Sequence, residues 1–211
     1  MSGETESGPA VLNALALSHR IVRGVLRPGD LAVDATAGNG HDTAFLAGLV
    51  GPEGRVLAFD VQEEAVRRTR ERLAEGGLLD RCLLFAEGHE NLETRIAALD
   101  ATWRDRGVAA AMFNLGWLPG ADHRIGTQAR TTIPALRQAM ARIRPGGVVT
   151  VALYYGRESG YEERDALLAF AAEADVRTWA VQKAEIWNAR NDAPIFLCFE
   201  RLAPGTRRAE G

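Results

Sequence analysis

The stretch Leu31-Ala-Val-Asp-Ala-Thr-Ala-Gly-Asn-Gly-His-Asp-Thr43 decides how this chain folds. Leu31, Ala32 and Val33 form a short apolar run that suits a buried strand, and Asp34 ends it. Gly38 and Gly40 bracket Asn39, so the backbone can turn tightly and let a ligand come close. Asp42 or Thr43 can then cap a helix that runs through Phe45, Leu46, Leu49 and Val50. Strand, glycine turn and helix in that order make the nucleotide-binding corner of a doubly wound α/β sheet. Gly-x-Gly recurs in many loops, so the flanking sequence has to decide.

Before the corner, Val11 to Val25 carries apolar residues at roughly helical spacing, with His19 and Arg20 among them. Beyond it, Arg55 to Phe59 reads as a second strand ending at Asp60, and Gln62 to Glu75 as a charged amphipathic helix closed by Gly76-Gly77. Arg81 to Ala86 is a third strand and Leu92 to Leu99 a short helix, with Asp100 to Gly107 as a polar link. Val108 to Phe113 is a fourth strand running into Asn114. The stretch from Gly120 to Arg130 has little periodicity and reads as a functional loop. Thr131 to Ile143 is a helix stopped by Arg144-Pro-Gly-Gly147 and followed by a fifth strand, Val148 to Tyr154. Tyr161 to Ala174 is a helix. Arg177 to Trp187 and Ile195 to Arg201 are strands with no helix between them.

Alternating strands and helices demand a mainly parallel sheet with helices on both faces, and the loop-joined last pair demands an antiparallel edge. The expected architecture is therefore α/β, with a seven-stranded Rossmann-like sheet. Dinucleotide dehydrogenases do not normally end on such an edge, whereas class I methyltransferases do. One domain is expected over residues 10–202, between a disordered N-terminus at 1–9 and a flexible tail at 203–211.

Composition narrows the function classes. The 211 residues are 46% hydrophobic and 25% charged, as in an ordinary soluble domain with a sizeable core. No apolar run approaches the ~18 residues of a membrane span. Met1 to Pro9 is polar and acidic, unlike a signal peptide, and Cys82 and Cys198 are too few for a disulfide scaffold, so a cytoplasmic location is expected. His41, His89, His123 and Cys82 lack metal-ligand spacing, and no metal is expected. A net charge of −3 counts mildly against a nucleic-acid binder. The basic residues are nearly all arginine, with Lys183 the single lysine, so a local arginine face can still grip phosphate.

Taken together, Val33-Asp-Ala-Thr-Ala-Gly-Asn-Gly-His-Asp-Thr43, Phe59-Asp-Val-Gln62, Gly88-His-Glu-Asn91, Phe113-Asn-Leu-Gly-Trp-Leu-Pro119 and Thr131-Thr-Ile133 resemble the "putative rRNA methylase" family of class I S-adenosylmethionine enzymes. Its characterised members resemble tRNA 5-aminomethyluridine methyltransferases, which methylate the exocyclic amine of a modified wobble uridine. The resemblance runs from about Val11 to Arg201 and implies the fold, the cofactor S-adenosylmethionine and a tRNA substrate. The chain departs from the family at Tyr154-Tyr-Gly-Arg157, where relatives tend to have Gly-His. It also departs at Trp187 and Asp192, within a segment that keeps the Asn188-x-x-Asn191 pair and Pro194.

Chemistry and resemblance together assign roles. Ligands of open α/β sheets sit outside the carboxyl ends of the strands, where Asp34, Asp60, Gly88 and Asn114 fall. Asp60 can accept both ribose hydroxyls. Gly38, Asn39 and Gly40 bring backbone groups to the methionine part, and Asp34 and Asp42 offer negative charge to its cationic groups; Asp42 serves equally well as a helix cap. Gln62 would meet the ribose edge. Gly88 and His89 would border the adenine, and His41 would be a further contact. By resemblance to the Asn-Pro-Pro-Tyr loop of other amine-methylating enzymes, the Asn114 side-chain oxygen and the Leu115 carbonyl accept the substrate amine hydrogens. Trp117 can stack on a flipped base, a contact worth ~1–3 kcal/mol. Tyr154, Asn188 and Asn191 complete the expected substrate side, and Arg124, Arg130, Arg157 and Arg190 are candidate phosphate contacts. His19 is either a packed helix residue or part of the pocket.

Other readings stay open at this point. One is a methyltransferase of the same fold acting on rRNA, a protein or a small molecule. Another is a nicotinamide-binding oxidoreductase or a non-catalytic nucleotide-binding module, against which stand Thr43, where a third glycine belongs, and the helix-free last pair. The oligomeric state is not readable, a homodimer included.

Overall fold

The computed structural model describes residues 11–116, 126–156, 158–189 and 192–205. Seven strands form one sheet in the order β3-β2-β1-β4-β5-β7-β6. They are β1 (Leu31–Asp34), β2 (Arg55–Phe59), β3 (Cys82–Phe85), β4 (Val108–Leu115), β5 (Ile143–Leu153), β6 (Trp179–Ala184) and β7 (Ile195–Arg201). The first five run parallel; β7 pairs antiparallel with both β5 and β6. The seven-stranded mixed sheet and its antiparallel edge are those expected.

Two apolar layers sandwich the sheet. On one face, α1 (Ala14–Val25), α2 (His41–Val50) and α3 (Glu63–Glu75) bury Val22, Leu46, Val50 and Leu73 against alternate residues such as Ala32, Val56, Ala110 and Met112. On the other, α4 (Leu92–Ala97), α6 (Ala129–Arg142) and α7 (Glu158–Ala172) lie over Val33, Leu57, Phe113 and Val151, with Ile96, Leu136 and Leu167 buried between. The central strands are apolar on both sides, as strands covered on two faces must be. The order turns about β1: β2 and β3 extend one way and β4 starts on the other side. A crevice therefore opens beyond the carboxyl ends of β1 and β4.

Several boundaries differ from the sequence reading. The expected link at Asp100 to Gly107 contains a short helix, α5 (Ala101–Arg106), because the Asp100 side chain accepts the Trp103 N–H at 3.3 Å and caps it. Helix α2 is capped by neither Asp42 nor Thr43. Gly40 is its N-cap residue, at φ 77°, which places both within the first turn. Strand β5 starts at Ile143, so Arg144-Pro-Gly-Gly147 interrupts its pairing with β4 without preceding the strand. Strand β6 starts late, because Asp175 accepts the Arg177 N–H at 3.1 Å and the Thr178 hydroxyl at 2.8 Å and holds a turn there. Among the described residues, no helix is long and apolar enough to cross a membrane.

Candidate active site

The glycine corner is pinned from two sides. Gly38 and Gly40 both take left-handed φ angles, 54° and 77°. The Gly38 N–H donates to Asp60 Oδ2 at 2.9 Å, while the Thr69 hydroxyl from α3 donates to the Gly38 carbonyl at 3.2 Å. A Cβ on Gly40 would stand 2.8 Å from the Thr69 Cα, so glycine is required there for both conformation and space. Arg72 Nε donates to the Asn39 carbonyl at 2.7 Å. Asp60 Oδ1 accepts the Gln62 N–H at 2.9 Å. Each Asp60 oxygen thus holds one backbone donor and keeps lone pairs for a ligand.

A cavity of about 840 Å³ opens at this corner, a size that suits a small-molecule cofactor and part of a substrate. Gly38, Asn39, His41, Asp42, Asp60, Gln62, Gly88, His89, Asn114, Leu115 and Tyr154 line it, so most of the expected site residues come together in one place. Asp34 and Gly40 stand behind the wall. Asn188 is exposed in the turn between β6 and β7 and does not line the cavity. Trp117 and Asn191 lie outside the described residues, as do Arg124, Arg157, Arg190 and most of the expected Gly120 to Arg130 loop. Arg130 lines the cavity mouth.

Asp34 is fully buried beneath the corner. It accepts the Thr43 hydroxyl at 2.6 Å and the Thr36 N–H at 3.1 Å. Burial first, and then the negative charge of Asp42, push its carboxyl up to about 7. Asp34 therefore braces α2 against β1.

Asn114 closes the cavity at the end of β4. Its backbone N–H donates to Thr36 Oγ1 at 2.8 Å, and its Nδ2 donates to Asp42 Oδ2. Its Oδ1 is buried and has no partner among the described residues. The other Asp42 oxygen meets His19 Nε2 at 2.6 Å, and the His19 ring stacks on Phe45 at 4.0 Å. Three elements, α1, α2 and β4, thus converge on one carboxylate. The Leu115 side chain is buried in the core, and its carbonyl already accepts the Tyr154 N–H at 2.8 Å, which leaves one lone pair. Burial and the nearby Asp42 charge raise the Tyr154 hydroxyl above its ordinary range.

His89 is 7% exposed, and burial holds its imidazole below the ordinary range, which keeps it neutral. Nδ1 lies 3.0 Å from the Ala35 carbonyl, which can only accept, so Nδ1 carries the proton. Nε2 is then an acceptor, buried and without a partner among the described residues. Two buried acceptors on residues lining a single cavity, each without a partner among the described residues, mark it as built for a ligand with hydrogen-bond donors.

His19 of α1 lines the cavity, the pocket alternative of its two readings, and so does Thr131 of the Thr131-Thr-Ile133 motif. Other lining residues lie far in sequence from any motif: Leu15 comes from α1, and Thr127 and Gln128 from the turn just before α6. Glu163, also unforeseen, is buried under α6 and raised by that burial. It accepts the Thr127 and Thr132 hydroxyls at 2.7 Å each, and Thr127 in turn accepts the Gly116 N–H at 2.9 Å. No local pattern marks Leu15, Thr127, Gln128 or Glu163; the helical spacing of α1 only places His19 on a face.

The strand order, the glycine corner after β1 and the carboxylate at the end of β2 define a class I S-adenosylmethionine-dependent methyltransferase. The family model described as "Putative rRNA methylase" matches residues 56–200, and the chain belongs to that family. It is 32% identical over 192 residues to the chloroplastic tRNA (mnm(5)s(2)U34)-methyltransferase of Arabidopsis thaliana, covering 87% of this chain and 68% of that protein. Among solved structures, a putative rRNA methylase from Clostridium thermocellum superposes with a TM-score of 0.86 at 41% identity, covering 92% of this chain and 100% of that one. A putative methyltransferase from Streptococcus mutans, in complex with S-adenosylhomocysteine, superposes with a TM-score of 0.80 at 34% identity, covering 91% of this chain and 99% of that one.

Proposed function

We propose that this methyltransferase N-methylates the aminomethyl group of a modified wobble uridine in tRNA. The observation that carries the reading is Asn114 Oδ1, a buried acceptor without a partner among the described residues, in the same cavity as the glycine corner and Asp60. An O-methylating site needs a base for a hydroxyl. An amine-methylating site needs an acceptor that holds amine hydrogens and leaves the lone pair free, which an amide oxygen does. The Arabidopsis relative, named for a wobble aminomethyluridine, supports the substrate class.

The residues present fit S-adenosylmethionine. Asp60, steadied by the Gly38 and Gln62 amides, keeps a lone pair on each oxygen for a ribose diol. His89 Nε2 is an unmatched acceptor for an adenine amino group. Bound there, S-adenosylmethionine supplies a sulfonium methyl open to in-line attack by a nucleophile.

The chain's own task is to select and aim the amine. An alkyl amine has a pKa of ~10 in water, and a cavity lined by Leu15 and the half-buried Tyr154 disfavours its charged form. Asn114 Oδ1 and the free lone pair of the Leu115 carbonyl accept its two hydrogens and fix the direction of its lone pair. Tyr154, 38% exposed at the rim, offers a ring against the base, and Arg130 at the mouth offers a cation to a phosphate. Nucleoside mass spectrometry of tRNA from cells lacking the protein tests the reading. Accumulation of the unmethylated aminomethyl nucleoside is expected, and an unchanged nucleoside profile would refute it.

A further inference from the structure

We infer that Asp42, braced by His19, is a positioning residue that decides which end of the Asn114 amide meets the substrate. The inference rests on the amine-methylating reading above and adds two residues to it. The oxygen and nitrogen ends of an asparagine amide are nearly equal in size, so packing alone does not choose between them. Only one orientation presents an acceptor. The reverse would set an NH₂ group against the amine and place its hydrogens where the lone pair must be held. An ionised carboxylate can only accept. Asp42 Oδ2 therefore draws Asn114 Nδ2 toward itself and leaves Oδ1 on the opposite side, where it is buried without a partner among the described residues.

The brace is built from elements distant in sequence. Asp42 lies in the first turn of α2. Its second oxygen accepts from His19 Nε2 at 2.6 Å, across 23 residues of sequence. The imidazole cannot swing away, because it lies almost flat on Phe45, with 13° between the ring planes. The Arg23 guanidinium also lies over the Phe45 ring, 5.5 Å from its centroid. His19 thus fixes one carboxylate oxygen and Asn114 takes the other. The role differs from that of a cofactor contact, which would act on affinity and leave the turnover of the saturated enzyme alone.

Reciprocal exchange tests the pairing. Asp42→Asn should cut kcat at saturating cofactor and tRNA by ~10²-fold, with cofactor affinity and KM within ~3-fold of wild type, because an amide at 42 no longer dictates the orientation at 114. The double variant Asp42→Asn/Asn114→Asp restores a donor facing a carboxylate and should recover at least ~10-fold of the loss. His19→Gln, which keeps a nitrogen donor, should retain more turnover than His19→Ala. The side-chain amide resonance of Asn114, assigned by its absence in Asn114→Asp, gives a readout that needs no substrate. One Nδ2 proton should be shifted downfield in the wild type, and the shift should vanish in Asp42→Asn. An unshifted resonance in wild type, a double variant no better than Asp42→Asn, or an Asp42→Asn that loses cofactor affinity with kcat intact would each overturn the inference. Wild-type protein inactive on aminomethyl-bearing tRNA, with the amide shift present, would instead overturn the substrate reading and leave the Asp42–Asn114 pairing standing.

Discussion

Asp34→Asn should stabilise the protein, and do so more as pH rises. Asp34 is fully buried, and its carboxyl is raised from an ordinary 3.8 to about 7, chiefly by burial and then by the Asp42 charge. The native state therefore holds a proton that the unfolded chain has already released, and stability falls as pH climbs from 3.8 toward 7. The native carboxyl begins to ionise only near the top of that window, and above it the cost levels off. Between about pH 5 and about pH 8 the wild type should lose about 2–3 kcal/mol through this one group. Asparagine has nearly the same shape and never ionises. It can accept the Thr36 N–H through its oxygen and donate to the Thr43 hydroxyl through its nitrogen, so the brace between β1 and α2 survives. The other titrating groups are common to both proteins, so the difference in their melting temperatures isolates Asp34. That difference should move in favour of the variant by ~5–10 °C between the two pH values. A melting-temperature difference that stays constant between them would refute the reasoning and return Asp34 to an ordinary carboxyl.

Three further substitutions separate the parts of the site. Asp60→Ala should weaken S-adenosylmethionine binding in calorimetry by ~1.5–3 kcal/mol, the worth of charge-assisted hydrogen bonds; unchanged affinity would remove Asp60 from the cofactor. Gly40→Ala puts a side chain on a left-handed residue, 2.8 Å from the Thr69 backbone. It should lower stability in denaturant titration by ~2–4 kcal/mol, and a neutral result would mean that the corner is free to shift. Asn114→Ala should leave cofactor affinity nearly intact and cut kcat by ~10²-fold or more, without full rescue at high pH, because a neutral amine still lacks orientation. Full rescue at high pH would mean that Asn114 only assists deprotonation.

The fold was legible because its signals are local or periodic. The apolar run Leu31 to Val33, the glycines at 38 and 40 and the helix-free pair at the C-terminus each carry their own constraint, and together they allow few topologies. Strand ends placed Asp60, Gly88 and Asn114 at one rim of the sheet, and the cavity holds all three. What the sequence hid depends on contacts between distant elements. His19 sits on a helical face that suits packing as well as it suits a pocket; only the meeting of α1 with α2 shows that it reaches Asp42. Glu163 is one charged residue among several in α7, and its burial beneath Thr127 and Thr132 has no local signature. Asp34 falls at a strand end as Asp60 does. Thr43, on the next turn of chain, draws it inward, whereas the Gly38 and Gln62 amides hold Asp60 at the cavity wall. The helix at Ala101–Arg106 has no sequence signal of its own, because six residues with one large apolar side chain, Trp103, show no apolar period; its Asp100 cap is the one available sign.

The central claim, that the Asn114 cavity holds an aminomethyl group on a wobble uridine, is tested most directly by purified protein given S-adenosylmethionine and two tRNAs. One carries the aminomethyl group and the other is an unmodified transcript of the same sequence. Methyl transfer to the aminomethyl nitrogen of the first, with none to the second, is the expected result. Methylation of the unmodified transcript, or of neither tRNA, would contradict the account.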